Sequence, residues 1–317
     1  MANYDVIKKI IDQCRKENSC ELDIRYDEPM SEHTTFRVGG PADCWLRPKG
    51  DKFPDFCASL FLNARAAGVD VFFLGGGANI VVSDRGIRGI VLDTGAWKGE
   101  TFTEGSIVIK SGTTADEAAE YAAAMGLTGL EFIAGMPGTI GGAVYMNARC
   151  YGSEIADLLE WTEIIDFSVC ANMQIKRLPA CKKDFGYKLS PFQGKDTLIL
   201  SVCIKLKPGN KEKILAEMKK NRQDRQEKGH YLFPCAGSAF KNNRDFGKPT
   251  GQIIDELGLR GLKIGGAQIA PFHGNIVINT GNATAKDIRT LVDEAAARVK
   301  KTTGFILESE ILFKGEY

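Results

Sequence analysis

A glycine-rich segment around a single proline places the tightest constraint on how this chain folds. It spans residues 131–147, is flanked by apolar residues, and carries four glycines around Pro137, namely Gly135, Gly138, Gly141 and Gly142. We expect it inside the fold, without regular helix or strand structure. Glycine permits a positive φ and close approach of the backbone to a ligand, and successive backbone N–H groups can form a concave anion site. The segment predicts a binding loop for a phosphate-bearing ligand, with a buried structural turn as the alternative.

A second glycine-rich loop, Gly-Gly-Gly-Ala-Asn-Ile over residues 75–80, follows the short apolar strand predicted at 71–74. Neither loop has the G-x-G-x-x-G spacing of a dinucleotide-binding strand–turn–helix unit. A phosphate-binding P-loop is also missing, because the Gly247-Lys248 pair is followed by Pro249. These absences disfavour a Rossmann dehydrogenase and a P-loop kinase.

Composition excludes several other classes of protein. The chain has 317 residues, enough for two or three domains, and a formal net charge of +1, which does not suggest a nucleic-acid or membrane surface. The N-terminus lacks a secretory signal pattern, and no apolar run is long enough to span a bilayer. Nine scattered cysteines without a C-x-x-C spacing argue against a disulfide framework and a zinc site. We expect a reduced, cytoplasmic enzyme that binds no metal, nucleic acid or membrane.

Hydrophobic periodicity predicts a mixture of helices and strands. Helices are expected at about 4–22, 51–67, 114–125, 210–227, 249–257 and 284–301, and strands at about 71–74, 80–82, 89–92, 101–111, within 160–207, at 275–279 and at 307–313. On the helix at 114–125 we interpret the face of Asp116, Glu117 and Glu120 as solvated surface. On the last strand, alternation places Glu308 and Glu310 on one face, which indicates solvent or a carboxylate in a cleft.

Few side chains suggest a reaction by themselves. Ser238 lies in Ala-Gly-Ser-Ala-Phe-Lys, which is not the G-x-S-x-G turn of hydrolases, so a turn hydroxyl is the simpler interpretation. Lys188 and Lys241 could each hold an oxyanion, although solvated lysines are more common. From the residues alone, the sequence predicts an α/β enzyme with two phosphate-binding loops and does not identify its reaction.

Six segments, in order and at plausible spacing, resemble the UDP-N-acetylenolpyruvoylglucosamine reductase family of peptidoglycan precursor synthesis. The likeness extends from about residue 24 to 314 and rests on residues 33–42, 74–83, 135–143, 185–190, 236–242 and 307–310. The resemblance implies an α+β or α/β fold of the vanillyl-alcohol oxidase type. Two subdomains, 1–95 and 96–208, would clasp FAD, a third α/β domain at 209–300 would cover the substrate, and a strand at 301–317 would return to the active site. The chain is similar to the shorter subtype, which lacks an additional tyrosine loop.

The resemblance also implies non-covalently bound FAD, NADPH as hydride donor, a UDP-sugar substrate and a monomeric protein. The residues assigned to FAD are Gly75, Gly76, Gly77, Ala78, Asn79, Ile80, Gly135, Met136, Pro137, Gly138, Thr139, Gly141 and Gly142. This assignment agrees with the independent interpretation of both loops as anion sites.

In the implied reaction the reduced flavin delivers hydride to C3 of the enolpyruvyl group, and Ser238 then protonates C2. Glu310 would polarise the enol, and Lys188 stands where the family usually has arginine. Substrate contacts would come from Tyr187, Lys241, Asn242 and Gln268. Two alternatives remain: a related flavin-dependent sugar or alcohol oxidase, and a flavin- or nucleotide-sugar-binding regulator that has lost catalysis, which the lysine at 188 favours.

Overall fold

The fold was analysed on a computed structural model, which describes residues 4–168 and 174–317. The chain forms two compact units, each built from several segments. The first unit comprises residues 4–27, Asp43–Gly76 and Gly89–Arg222 apart from 169–173; the second comprises Glu28–Ala42, Gly77–Arg88 and Gln223–Tyr317. The division into subdomains 1–95, 96–208 and 209–300, followed by a C-terminal strand, stays a prediction.

Within the described residues the helices are α1 (Tyr4–Asn18), α2 (Phe53–Ala66), α3 (Ala115–Ala124), α4 (Ile140–Tyr145), α5 (Lys211–Glu227), α6 (Thr250–Glu256) and α7 (Ala285–Thr303). The strands are β1 (Glu21–Pro29), β2 (Pro41–Lys49), β3 (Val71–Leu74), β4 (Ile80–Val82), β5 (Ile87–Asp93), β6 (Glu100–Thr103), β7 (Ser106–Lys110), β8 (Leu127–Thr128), β9 (Arg149–Cys150), β10 (Ser153–Glu154), β11 (Leu159–Asp166), β12 (Ile175–Pro179), β13 (Thr197–Lys205), β14 (Lys207–Pro208), β15 (Cys235–Ser238), β16 (Lys263–Ile264), β17 (Ala267–Ile269), β18 (Ile276–Asn279) and β19 (Leu312–Lys314). Short 3₁₀ turns lie at Met30–His33, Glu131–Ile133, Ile155–Asp157, Lys182–Asp184 and Arg244–Phe246.

The first unit contains two large sheets, each with its own core, and two short two-stranded pairs, β9 with β10 and β8 with β14. A four-stranded sheet in the order β1-β2-β5-β3 packs against α1 and α2 through a core that includes Phe53, Phe56 and Leu60. A five-stranded antiparallel sheet in the order β12-β11-β13-β7-β6 packs against α3 and α4. Five alanines of α3 are buried, and their small size lets that helix lie close to the glycine-rich segment.

The second unit is built on the antiparallel sheet β15-β18-β17-β16, which α6 and α7 cover. Helix α7 begins with a capping box in which Thr284 and Asp287 satisfy each other's backbone N–H groups, and it ends at Gly304 with a left-handed φ of 79°. A separate parallel pair, β19 with β4, joins Leu312–Lys314 to Ile80–Val82.

Most predicted elements are present, and two predictions are wrong. The glycine-rich segment is not irregular throughout, because Ile140–Tyr145 forms α4 with Thr139 as its N-cap. The predicted strand at 307–313 is shorter and later, since regular pairing covers Leu312–Lys314 alone. None of the helices in the described part of the chain combines the length and apolar character needed to cross a membrane.

Candidate active site

The two glycine-rich loops meet backbone to backbone within the first unit. A Cβ atom on Gly76 would lie 2.6 Å from the Cα of Gly138, and one on Gly75 would lie 2.8 Å from Oγ1 of Thr139. Real Cβ atoms do not approach backbone this closely, so the contact requires glycine at residue 76. Gly138 itself has φ +106°, a conformation that L side chains rarely adopt. The sequence predicted two separate binding loops, and the structure shows that they are in contact.

The apposed loops present backbone N–H groups that the protein does not use. Among the described residues, the N–H groups of Gly75, Gly76, Gly138 and Thr139 donate no hydrogen bond to the protein. Gly138 is only half-buried and Pro137 is exposed, so a ligand can reach this surface. Four unpaired donors on two touching loops fit the oxygens of a diphosphate group.

Helix α3 holds the start of the glycine–proline segment. The Asp116 carboxylate accepts a hydrogen bond of 2.7 Å from the N–H of Gly135, which has φ +74°. Arg222 on α5 donates to the same carboxylate oxygen at 2.8 Å and to Glu120 at 2.7 Å. The prediction that this face of α3 is plain solvated surface is therefore wrong for Asp116, which fixes the loop.

The other end of the segment is fastened to the turn that carries Tyr187 and Lys188. Asn147 is fully buried and has φ +41°, a conformation that asparagine tolerates better than most residues. Its side chain donates to the carbonyl of Gly186 at 2.9 Å and accepts from the N–H of Ala156 at 3.0 Å. The position of the Tyr187–Lys188 turn is thus tied to the end of α4.

Lys188 itself has a strained backbone. Paired hydrogen bonds of 3.1 Å between Gly186 and Leu189 close a two-residue turn, in which Lys188 has φ +58°. A lysine in the left-handed region costs about 1 kcal/mol relative to glycine. Such strain is concentrated at functional sites, where the side chain is needed in spite of the backbone cost. Tyr187 is half-buried and lies under the guanidinium of Arg149, 5.8 Å from the ring centroid.

In the second unit, the structure brings Ser238 and Glu310 onto adjacent segments. The N–H of Glu310 donates to the carbonyl of Ala239 at 2.8 Å, and the N–H of Lys241 donates to that of Glu308 at 2.9 Å. Glu310 is only 8% exposed, whereas the side chain of Glu308 is 71% exposed. The two glutamates therefore differ in environment, and Glu310 is the buried carboxylate beside the half-buried Ser238.

Two asparagines fix the backbone on either side of this pair. Asn275 is 3% exposed; its amide donates to the carbonyl of Phe240 at 2.8 Å and accepts from the N–H of Phe240 at 2.9 Å. The side-chain amide of Asn79 donates to the carbonyl of Glu310 at 2.9 Å, and the backbone carbonyl of Asn79 accepts from the N–H of Leu312 at 3.0 Å. Asn79 was expected to bind FAD; in the structure its side chain also positions Glu310.

The side chains predicted to contact substrate have protein partners. Lys241 pairs with Glu308, the Asn242 oxygen accepts from the N–H of Thr250 at 2.9 Å, and Gln268 donates to the carbonyl of Gly261 at 3.1 Å. These contacts keep the three residues in place, and their substrate role stays a prediction. Gly77 has φ +60°, and its position leaves no room for a Cβ, which would lie 2.0 Å from the carbonyl oxygen of His33.

Two histidines of the second unit lie close together, one of them five residues before β15. His230 and His273 have ring centroids 6.5 Å apart. Burial, with a smaller contribution from the Arg225 charge, lowers the pKa of His230 to about 4, and burial also lowers the pKa of His273. Burial raises the pKa of the Cys235 thiol, so that thiol stays protonated and is a poor nucleophile.

Known proteins of one family are similar to this chain over almost its whole length. Residues 57–168 match the description "FAD binding domain", and residues 227–314 match "UDP-N-acetylenolpyruvoylglucosamine reductase, C-terminal domain". The reductase of Borreliella burgdorferi is 42% identical over 90% of this chain and 93% of its own. That of Agathobacter rectalis is 36% identical over 99% of this chain and 100% of its own. The crystal structure of the reductase from Thermus caldophilus aligns with a TM-score of 0.73 at 31% identity, covering 93% of this chain and 99% of that one.

The fold and its apposed glycine loops define an FAD-binding α+β oxidoreductase, which confirms the predicted fold class. FAD fits this chain, because the matched FAD-binding region contains the four unpaired N–H groups of the two loops. The chain belongs to the UDP-N-acetylenolpyruvoylglucosamine reductase family.

Sequence reasoning missed Asp116, Asn147 and Asn275. Their partners lie far along the chain: Asp116 bonds to Gly135, and Asn147 to Gly186. A polar side chain within an otherwise apolar segment was the available signal for Asn275, which stands at the start of the strand predicted at 275–279. No comparable signal distinguished Asp116 from its acidic neighbours on α3.

Proposed function

We infer that this chain reduces UDP-N-acetylenolpyruvoylglucosamine to UDP-N-acetylmuramate in peptidoglycan precursor synthesis, with FAD as cofactor and NADPH as reductant. One observation carries the inference: a named reductase is 42% identical over nine-tenths of this chain. Bound FAD would supply the redox chemistry, the transfer of a hydride from NADPH to C3 of the enolpyruvyl group. The backbone N–H groups of Gly75, Gly76, Gly138 and Thr139 would hold its diphosphate.

Ser238 is the proposed proton donor to C2 of the reduced enolpyruvyl group. A serine hydroxyl is a weak acid, so this step requires a site that stabilises the alkoxide as it forms. The half-buried position of Ser238 and the double clamp of Asn275 on Phe240 support the assignment, because they limit the movement of the loop that carries the hydroxyl.

Glu310 is the proposed partner that polarises the enol, and Lys188 supplies a positive charge for the carboxylate of the intermediate. The burial of Glu310 supports its role, because a carboxylate removed from water interacts strongly with a nearby reacting group. The strained φ of Lys188 supports a functional need for a side chain at that position. Tyr187, Lys241, Asn242 and Gln268 are proposed to contact the UDP-sugar.

The remaining expectations concern assembly and location. We propose that the chain acts as a monomer in the cytoplasm and binds no nucleic acid. Its formal charge of +1 supports the last point, since nucleic-acid binding relies on an excess of positive charge. Sedimentation analysis of the FAD-loaded protein tests the first; a dimer would contradict it.

Ser238→Ala separates the two halves of the reaction. We expect the variant to bind FAD and to be bleached by NADPH at the wild-type rate, while UDP-N-acetylmuramate formation falls by about 10²–10⁴-fold. Chromatography of the quenched reaction measures the product. Wild-type protein that reduces its flavin but forms no UDP-N-acetylmuramate would contradict the proposed function, and undiminished product formation by Ser238→Ala would contradict only the role of Ser238.

A further inference from the structure

Arg149 lies beside the Tyr187–Lys188 turn and is not one of the residues proposed to hold FAD or to take part in the reaction. Its guanidinium is 5.8 Å from the centroid of the Tyr187 ring, within the range of a cation–π contact. It stands in β9, directly opposite Glu154 of β10 in a two-residue hairpin. Both turn residues of that hairpin have positive φ, 50° at Tyr151 and 83° at Gly152, so the hairpin is closely specified.

Hydrogen bonds hold the chain both before and after Arg149. Asn147, two residues earlier in the chain, donates to the carbonyl of Gly186, the residue that precedes Tyr187. The hydroxyl of Tyr151, two residues later, donates to the carbonyl of Asn221 on α5 at 3.1 Å. The backbone is therefore fixed on both sides of Arg149, and the Asn147 bond ties it to the turn.

The hydrogen-bonding capacity of Arg149 is not used by the protein. A guanidinium has five N–H donors, yet among the described residues the side chain of Arg149 makes no hydrogen bond. Its one ionic contact, with Glu154, is 3.8 Å long, beyond hydrogen-bonding distance. Only 36% of the side chain is exposed. A partly covered guanidinium with unfilled donors is suited to a planar anion, which it can bind through two parallel hydrogen bonds.

We propose that Arg149 binds the carboxylate of the enolpyruvyl group and so determines specificity for that substrate; this rests on the proposed function. Lys188 provides a point charge in the same turn, whereas the planar fork of Arg149 can hold both carboxylate oxygens. The face of the Tyr187 ring, 5.8 Å from the guanidinium, orients Arg149. Arg149 thereby fixes the plane of the carboxylate that is conjugated with the reacting double bond.

Calorimetric titration of the oxidised, FAD-loaded protein tests this proposal with three ligands. The ligands are UDP-N-acetylenolpyruvoylglucosamine, UDP-N-acetylglucosamine, which lacks the carboxylate, and UDP. We expect Arg149→Ala to weaken binding of the enolpyruvyl sugar by about 10- to 100-fold. Binding of the other two ligands should stay within about threefold of wild type, because neither carries the group that Arg149 holds. Arg149→Lys, which keeps the charge but not the fork, should fall between.

Arg177→Ala is the matched control. Arg177 also stacks on an aromatic ring, that of Trp161 at 3.9 Å, and also pairs with a glutamate on the neighbouring strand, Glu163 at 3.4 Å. Its removal should leave all three affinities unchanged. Thermal unfolding of each variant verifies that the protein is folded, and Arg149→Lys keeps the test valid if the alanine variant does not fold.

The outcomes separate this inference from the proposed function. Equal weakening of UDP and of the enolpyruvyl sugar by Arg149→Ala would assign Arg149 to the diphosphate and overturn the proposal. Unchanged affinity for the enolpyruvyl sugar would overturn it as well, while leaving the proposed function intact. Wild-type protein that does not bind the enolpyruvyl sugar at all would contradict both.

Discussion

The Asp116 carboxylate accepts a 2.7 Å hydrogen bond from the backbone N–H of Gly135, and this contact sets the entrance of the glycine–proline segment. Gly135 has φ +74°, so its N–H points in a direction that helix or strand geometry would not give. Arg222 bonds to the same carboxylate oxygen and fixes it in turn. A side chain outside the glycine loops thus determines how they present their backbone.

Asp116→Ala should weaken FAD binding. The change leaves the N–H of Gly135 without its acceptor and removes the Asp116 bonds of Arg222, at a cost of about 1–2 kcal/mol in loop positioning, or about 5- to 30-fold in the FAD dissociation constant. Glu120→Ala is the control, since Glu120 also pairs with Arg222 but does not contact the loop. Quenching of flavin fluorescence measures both constants; equal effects of the two substitutions would contradict a specific role for Asp116.

Gly76→Ala should destabilise the apoprotein. The new methyl group would lie 2.6 Å from the Cα of Gly138, and backbone must move to relieve that overlap, at about 1–3 kcal/mol. Gly142→Ala is the matched control in the partner loop, because its nearest neighbour, Oγ1 of Thr139, is 3.6 Å away. Urea unfolding without FAD measures both. A Gly76→Ala variant as stable as wild type would contradict the close contact between the two loops.

Lys188→Gly should separate stability from activity. Glycine adopts φ +58° without strain, so we expect the free energy of unfolding to stay constant or rise by up to about 1 kcal/mol. Turnover should fall because the positive charge is lost. Lys188→Arg should instead raise turnover, since a planar fork can hold a carboxylate better than a point charge. Steady-state assays test both; no gain with arginine would show that lysine does not limit the rate.

The stability of the protein should fall as the pH drops from about 6.5 towards 4. His230 has a pKa of about 4 in the fold against 6.5 for an unperturbed histidine, because burial and the Arg225 charge disfavour its protonation. Between these values the unfolded chain binds more protons than the folded one, so acid favours unfolding. His230→Gln should flatten this dependence. Urea unfolding at pH 7, 6 and 5 measures the free energy of unfolding of both proteins. If that free energy falls equally with pH in the variant and in wild type, His230 is not the group responsible.

Features that depend on local sequence could be predicted before the structure was known. The glycines at 75–77 and 135–142, the helix that begins after Thr284 and the strand Val71–Leu74 each follow from neighbouring residues. The segment around Glu310 could not be predicted, because its backbone pairs with Ala239 and Asn79, far away in the chain. Those tertiary bonds override the alternation that predicted a regular strand over residues 307–313.

In the candidate site, too, local features could be predicted from the sequence and distant contacts could not. Both glycine loops could be predicted as anion sites, because glycine permits the close backbone approach that such a site needs. The contact between the two loops joins Gly76 and Gly138, which are 62 positions apart. The bonds of Asp116 and Asn147 that hold the glycine–proline segment also join distant residues, such as Asp116 and Gly135, 19 positions apart. One sequence contains no signal for such pairings.

The central claim is that this chain carries electrons from NADPH through FAD to the enolpyruvyl sugar. Anaerobic stopped-flow absorbance at the flavin band tests it most directly, with NADPH added first and UDP-N-acetylenolpyruvoylglucosamine second. We predict bleaching after the first addition and full recovery after the second. A protein that cannot be loaded with FAD, or whose reduced flavin is not reoxidised by the enolpyruvyl sugar, would contradict the account.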